Sequence, residues 1–198
     1  MTILNICIVL MDDINDTMIK EFTYTFNNLN IKNNIYFIQY NQPHLIKYLQ
    51  INNIHAIILS GSTKRILEKD SPTLPPKILK LGLPILSLCY GFEWITKTIG
   101  GTVATFKDKK EHIYSKFLKF HGPFNVPLKK YAFNHFDYIQ KLPNNWDILI
   151  THDDQIWAAY HKDLNIIGLQ FHPEKYKTSA KAFYNQWIAW LKEKYNIN

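Results

Sequence analysis

The chain has 198 residues, 46% of them apolar and 15% aromatic, and a formal net charge of +7. That length suits one well-buried domain rather than two, and the composition excludes a disordered or fibrous chain. Two cysteines, Cys7 and Cys89, make no disulfide framework and point to a reducing compartment such as the cytoplasm; the scattered lysines argue against a nucleic-acid partner.

Residues 3–11 are apolar and read as a first buried strand with Cys7 inside it. The run lacks a basic leader and is too short to span a membrane, so neither a secretory signal nor a membrane partner is expected. Residues 14–29 carry helical spacing at Met18, Phe22, Phe26 and Leu29. A second strand is expected over 35–40, a short helix over 43–49 with Pro43 near its start, and a third buried strand over 54–59 that delivers Ser60-Gly61-Ser62. Strands alternating with helices imply an α/β fold, a mostly parallel sheet covered on both faces. Ligands of such sheets sit beyond the carboxyl ends of the strands.

Residues 71–76 read as a loop, 77–81 as a short helix, 84–88 as a strand and 90–99 as a helix closed by Gly100-Gly101. From Thr102 the pattern changes to short alternating aromatic-rich segments, 113–120 and 131–133, separated by Gly122-Pro123 and Pro127. These read as a small antiparallel sheet, continued by 146–150 and 156–160. Residues 177–195 form a closing helix whose Ala182, Phe183, Trp187, Ile188 and Leu191 face the core. The basic run Lys107 to Lys110, interrupted by Asp108, reads as a solvated loop. His152 with Asp153 and Asp154 reads as a polar turn, and the eight histidines show no ligand spacing, so no metal is expected.

Two stretches carry chemistry. The run 84–88 stops abruptly at Cys89, and a helix begins at once, with Gly91 where the backbone needs room. This is the geometry of a nucleophile elbow with cysteine in place of serine. The helix dipole there is expected to lower the thiol pKa. A second apolar run, 165–171, ends at His172-Pro173-Glu174. A thiol needs a base, and the base needs a third group to orient it; His172 and Glu174 are of the right types.

Leu88-Cys89-Tyr90-Gly91-Phe92 and Gly168-Leu169-Gln170-Phe171-His172-Pro173-Glu174 resemble the class I, triad-type glutamine amidotransferase domain. Ile57-Ile58-Leu59-Ser60-Gly61-Ser62 is similar to that family's Leu-Ser-Gly-Gly segment. Asn134-His135-Phe136-Asp137 is similar to the Ser-His-Gly-Asp of GMP synthetase glutaminase domains. The resemblance covers nearly the whole chain and implies a flavodoxin-like sheet in one domain, residues 1–198. It implies attack of Cys89 on the γ-amide carbon of glutamine, with His172 as base and Glu174 as its orienter. A γ-glutamyl thioester would follow and then be hydrolysed to glutamate. The oxyanion would be met by the backbone N–H of Tyr90 and one from Gly61 or Ser62, with Glu93, Asn134, His135 and Phe136 on the substrate side. No cofactor is required, and the ammonia acceptor would be a separate synthetase chain.

The chain departs from the family's pattern at four points. Ser87 stands two before the cysteine and Ser62 in the oxyanion loop, both where glycine is usual; a positive φ at Ser62 would strain that loop. Glu93 replaces a substrate-binding glutamine, and its charge would attract an α-ammonium. Phe136 replaces a glycine and would narrow the pocket. Cys-x-Gly-Phe-Glu and Ala182-Phe183-Tyr184 also resemble γ-glutamyl hydrolases, which cleave γ-glutamyl peptides but are generally longer and secretory or lysosomal. A silent glutaminase-like binding module is the remaining alternative.

Overall fold

The structure, a computed structural model, describes residues 3–12 and 16–196. Its centre is a set of short apolar runs too rich in Ile, Val and Leu to show one wet face. They are β1 (Leu4–Leu10), β3 (Ala56–Leu59), β4 (Ile85–Leu88) and β11 (Ile166–Leu169), covered on both faces, and β2 (Asn33–Gln39), half-buried at the edge. They pair in parallel in the order β2-β1-β3-β4-β11. Four antiparallel strands extend this core: β5 (Thr102–Thr105), β8 (Asp137–Lys141), β9 (Trp146–His152) and β10 (Gln155–His161). A separate two-stranded ribbon is formed by β6 (His112–His121) and β7 (Asn125–His135).

Helices cover both sheet faces. On one face α1 (Asp16–Asn27) and α4 (Lys177–Lys194) place Phe22, Phe26, Phe183, Tyr184 and Trp187 against Ile6, Ile8 and Ile58. On the other, α2 (Leu45–Ile51) and α3 (Tyr90–Thr98) pack Leu49, Tyr90, Trp94 and Ile95 against Val9, Ile57 and Leu59. No helix among the described residues is long and apolar enough to cross a membrane.

The sequence reading holds for most elements and differs at a few. The strands expected over 146–150 and 156–160 to continue the small antiparallel sheet join the central sheet instead, because β10 pairs with β11 and carries β9 with it. Ile14, expected to begin the first helix, lies outside the described residues. The helix expected over 77–81 is a 3-10 turn, Pro76–Lys80. Pro127 lies inside β7 rather than separating strands; it falls in the register shift between Leu118 and Phe120, where the ladder needs no N–H from it. The strands β5 and β8 carried too little alternation to be foreseen. His152, Asp153 and Asp154 make the turn between β9 and β10, with Asp153 at φ 51°.

Candidate active site

Strand β4 is buried along its length and ends at Cys89, whose φ of 48° and ψ of −109° are unusual for a residue with a side chain. Such strain persists only where the surroundings over-determine it. Here they do. The Cys89 N–H donates to the Leu169 carbonyl at 2.6 Å, and the Gly91 N–H to the Ser60 carbonyl at 3.2 Å. A Cβ on Gly91 would lie 2.8 Å from the Leu59 carbonyl oxygen, so only glycine lets α3 start this close to β3. Ser87, unexpected two before Cys89, is fully buried and donates its hydroxyl to the Ile167 carbonyl at 3.1 Å.

His172 follows β11 and is fixed twice. Its N–H donates to the Ala132 carbonyl at 2.8 Å, an isolated bridge to β7. Its Nδ1 lies 2.7 Å from Glu174 Oε1, with both side chains buried. A carboxylate only accepts, so this bond puts the proton on Nδ1 and leaves Nε2 as the basic nitrogen. A Cβ built on Gly61 would stand 2.9 Å from His172 Cε1 and 3.7 Å from both His172 Nε2 and Cys89 Cβ. The His172 imidazole and the Cys89 side chain therefore converge on the glycine of the β3 loop.

The thiol is protonated at rest. Burial pushes its pKa well above the usual value, and the neighbouring Glu93 and Glu174 push the same way; the Tyr90 N–H and the Gln170 amide oppose them without prevailing. The lowered pKa expected from the helix dipole is thus overturned, because Cys89 is only 3% exposed and desolvation outweighs the partial charge of a helix end. The S–H donates to the Asn134 carbonyl at 3.5 Å, and Gln170 Nε2 lies 3.8 Å from the sulfur.

Cys89 opens on a cavity of about 50 Å³ that is also lined by Ser62, Arg65, Tyr90, Glu93, Asn134, His135, Phe136 and Asp137. Tyr90 is the first residue of α3, so its backbone N–H has no partner within the helix, and it pulls the Cys89 thiol pKa down against the effect of burial. Ser62 does not sit at positive φ, so the strain expected from its missing glycine is absent. The loop is held by other means. The Ser62 hydroxyl accepts from the Lys64 N–H at 3.0 Å, and the Thr63 N–H and hydroxyl both donate to Asp12 Oδ2 at 2.7 Å.

Glu93 is 3% exposed and faces this cavity, not solvent. Burial pushes its carboxyl up to about 8, which mutes the charge expected from its sequence position. Burial pushes the His135 imidazole down to about 4; its Nδ1 donates to the Asp137 carbonyl at 2.8 Å. His135 is therefore neutral and braces the segment rather than titrating with substrate. Three residues around the cavity carry no role readable from sequence. Gln170 stands inside the run that leads to His172, whereas Arg65 and Thr105 have no local signal. Cys7 is buried in β1, its pKa pushed up to about 12 by burial, and belongs to the core. No group of three or more His, Cys, Asp or Glu among the described residues is arranged to hold a metal ion.

The family model for glutamine amidotransferase class-I matches residues 10–190. The chain is similar to GMP synthase [glutamine-hydrolyzing] of Borrelia garinii subsp. bavariensis, 38% identical over 135 residues, which is 65% of this chain and 25% of the relative. The corresponding protein of Thermosipho africanus is 35% identical over 136 residues, 66% of this chain and 26% of the relative. The chain thus matches about a quarter of the length of these relatives. Its fold is that of a GMP synthase subunit protein from Thermoplasma acidophilum, with a TM-score of 0.71 at 19% identity, covering 100% of this chain and 98% of that one. The glutaminase domain of Trypanosoma brucei CTPS with bound acivicin shares it at a TM-score of 0.68 and 12% identity, covering 96% and 94%. The chain belongs to the class I glutamine amidotransferase family.

Proposed function

We propose that the protein hydrolyses the side-chain amide of glutamine to glutamate and ammonia through a γ-glutamyl thioester on Cys89. The observation that carries this reading is the convergence of the strained Cys89 and the Glu174-bound His172 on Gly61. The thiol is protonated at rest, so attack and proton transfer go together. Cys89 Sγ bonds to the γ-amide carbon as His172 Nε2 takes the proton. The tetrahedral oxyanion meets the Tyr90 N–H, with Gly61 or Ser62 supplying the second donor. His172 returns the proton to the departing ammonia. Water, activated by the same nitrogen, then cleaves the thioester, while Glu174 holds the tautomer throughout.

The ammonia acceptor is a separate synthetase chain, GMP synthase-like by the names of the relatives. A cavity of about 50 Å³ holds roughly three or four water molecules. Seating a glutamine therefore widens it, and docking of the synthetase at the segments 134–137 and 175–177 is the natural trigger. The tight cavity also favours ammonia over a peptide as the leaving group, which places γ-glutamyl peptide hydrolysis second. Free, buried cysteines fit a reducing compartment such as the cytoplasm.

Glutamate release from glutamine by the purified chain, beside a Cys89→Ala control, tests the chemistry. Release confined to the wild type supports it; equal release from both refutes it. Co-purification from the native host tests the partner: an ATP-dependent synthetase identified by mass spectrometry is expected. Recovery of the chain alone with full activity would count against a partner.

A further inference from the structure

Both peptide planes that flank Ser62 are pinned to the carboxyl end of β1. On one side the Met11 N–H donates to Ser60 Oγ at 2.9 Å, and the Ser60 hydroxyl in turn donates to the Gly61 carbonyl at 2.8 Å. That fixes the plane of the Gly61–Ser62 peptide. On the other side the Thr63 N–H and hydroxyl each donate to Asp12 Oδ2 at 2.7 Å, which fixes the plane of the Ser62–Thr63 peptide. The far end of the loop is anchored as well: Arg65 Nη2 donates to Thr105 Oγ1 of β5 at 3.0 Å and to Asp137 Oδ1 of β8 at 3.2 Å. Nothing in the covalent chain demands this order. Gly61 is conformationally free, and Gly61-Ser62-Thr63-Lys64 contains no proline to stiffen it. The buried Asp12 carboxylate supplies the stiffness instead, since hydrogen bonds to a charged acceptor are roughly twice as strong as neutral ones.

This order fixes the direction of one N–H. No cis peptide bond occurs among the described residues, and a trans peptide points its N–H opposite to its C=O. With the Gly61 carbonyl turned toward Ser60, the Ser62 N–H is turned away from Ser60 and β1, and it donates to no described residue. Ser62 lines the cavity beside Cys89, and Gly61 abuts both Cys89 and His172. We propose that Asp12 is a positioning residue: through Thr63 it holds the Ser62 N–H as the second donor to the oxyanion, opposite the Tyr90 N–H. This rests on the functional reading above and deepens it. Asp12 does not line the cavity, so it acts only through the loop, and the donor is in place before substrate arrives.

The test measures kcat and KM for glutamine and, separately, the rate at which iodoacetamide alkylates Cys89, with the synthetase present if the chain requires it. Alkylation displaces iodide at a saturated carbon and builds no oxyanion, so it reports the thiol and its base but not the loop. Loss of one oxyanion donor costs on the order of 10²–10³ in kcat, and a donor left misaligned costs part of that. Thr63→Val keeps the N–H and loses the hydroxyl; its kcat should fall about tenfold. Asp12→Ala removes the acceptor of both bonds and should lower kcat about a hundredfold. In each variant KM and the alkylation rate should stay within a few-fold of wild type, the mark of an interaction made only in the transition state. Thr63→Ser retains both donors and should keep kcat within a few-fold. The double variant Asp12→Ala/Thr63→Val should be no slower than Asp12→Ala, because Asp12 acts through Thr63. A merely structural bond would slow alkylation together with turnover. If Asp12→Ala fails to fold, Thr63→Val and Thr63→Ser still decide. An unchanged kcat, a loss shared equally by alkylation, or a double variant that multiplies the two single losses overturns the inference while glutamine hydrolysis stands. Absence of turnover by the wild type overturns the functional reading, and the inference with it.

Discussion

Gln170 Nε2 donates to Glu93 Oε1 at 2.8 Å, and the same nitrogen lies 3.8 Å from the Cys89 sulfur. One amide thus ties a buried carboxyl to the Cys89 thiol. Desolvation raises the Glu93 pKa to about 8, and Asp137 adds to the rise, while the Gln170 hydrogen bond and Arg65 oppose it. At neutral pH the side chain is mostly a neutral carboxyl, close in shape to the glutamine of the family pattern. The consequence for stability has a definite sign. Between about pH 4.5 and pH 8 the unfolded chain releases this proton and the folded chain keeps it. Stability therefore falls as pH rises through that window and levels off above it. Glu93→Gln keeps the acceptor for Gln170 and removes the titration. The variant should be more stable than wild type by a few kcal/mol at pH 8 and nearly equal at pH 4.5. Thermal melts across pH check this; parallel wild-type and variant curves would refute it.

Ionisation of Glu93 also places a negative charge beside a thiol that must lose its proton. Wild-type activity should therefore decline above about pH 8, and Glu93→Gln should shift that decline upward. The pH dependence of kcat on both proteins decides it. An unchanged alkaline limb would mean that Glu93 does not govern the thiol.

In the proposed mechanism, the 2.7 Å bond between His172 Nδ1 and Glu174 Oε1 gives Glu174 the tautomer to hold rather than a proton to transfer. Glu174→Gln can present an N–H to Nδ1, which favours the tautomer with no basic Nε2. By analogy with other triads, kcat should fall on the order of 10⁴-fold, and Cys89→Ala or His172→Ala should cost as much or more. Melting temperature separates this from misfolding: Glu174→Gln should melt within a few degrees of wild type. Because the resting thiol is protonated, iodoacetamide should also label Cys89 slowly at neutral pH and faster as pH rises, with Cys7 untouched in the folded chain. Rapid labelling at pH 7 would contradict the protonated resting state.

The proposed triad was legible in sequence because its signal is local. A buried run that stops at Cys89, and another that stops at His172-Pro173-Glu174, place both groups at the carboxyl end of one parallel sheet. The parallel core was legible for the same reason: β1, β3, β4 and β11 are continuous apolar runs. The strands β5 and β8 were not, since each is short and half polar, and register with neighbours rather than pattern makes them strands. The thiol's protonation depends on how completely Cys89 is desolvated, a tertiary quantity. The pairing of Arg65 with Asp137 depends on β8 lying beside β5, and no spacing in the chain encodes it.

Two glycines near the site should fail in opposite ways. A Cβ on Gly61 would press His172 Cε1 at 2.9 Å, but Gly61 lies in a loop without positive φ, so the main chain tolerates alanine. The imidazole is the part that gives, and turning it carries Nε2 away from the thiol. A displacement of about 1 Å is enough to cost on the order of a hundredfold in rate. Gly61→Ala should therefore lose about that much kcat while its melting temperature changes little. A Cβ on Gly168 would stand 2.2 Å from two atoms of the Phe92 ring, which is fully buried and packed 5.8 Å from Trp146. That overlap cannot be met by a rotamer change, so α3 itself has to move. Overpacking of this kind costs about 1–3 kcal/mol, or roughly 2–12 °C for a chain of this size. Gly168→Ala should thus melt early, and any loss of activity should follow the loss of fold. Melting curves and kcat measured on the same two preparations settle it. If Gly61→Ala loses stability without losing rate, His172 does not stand where the chemistry needs it.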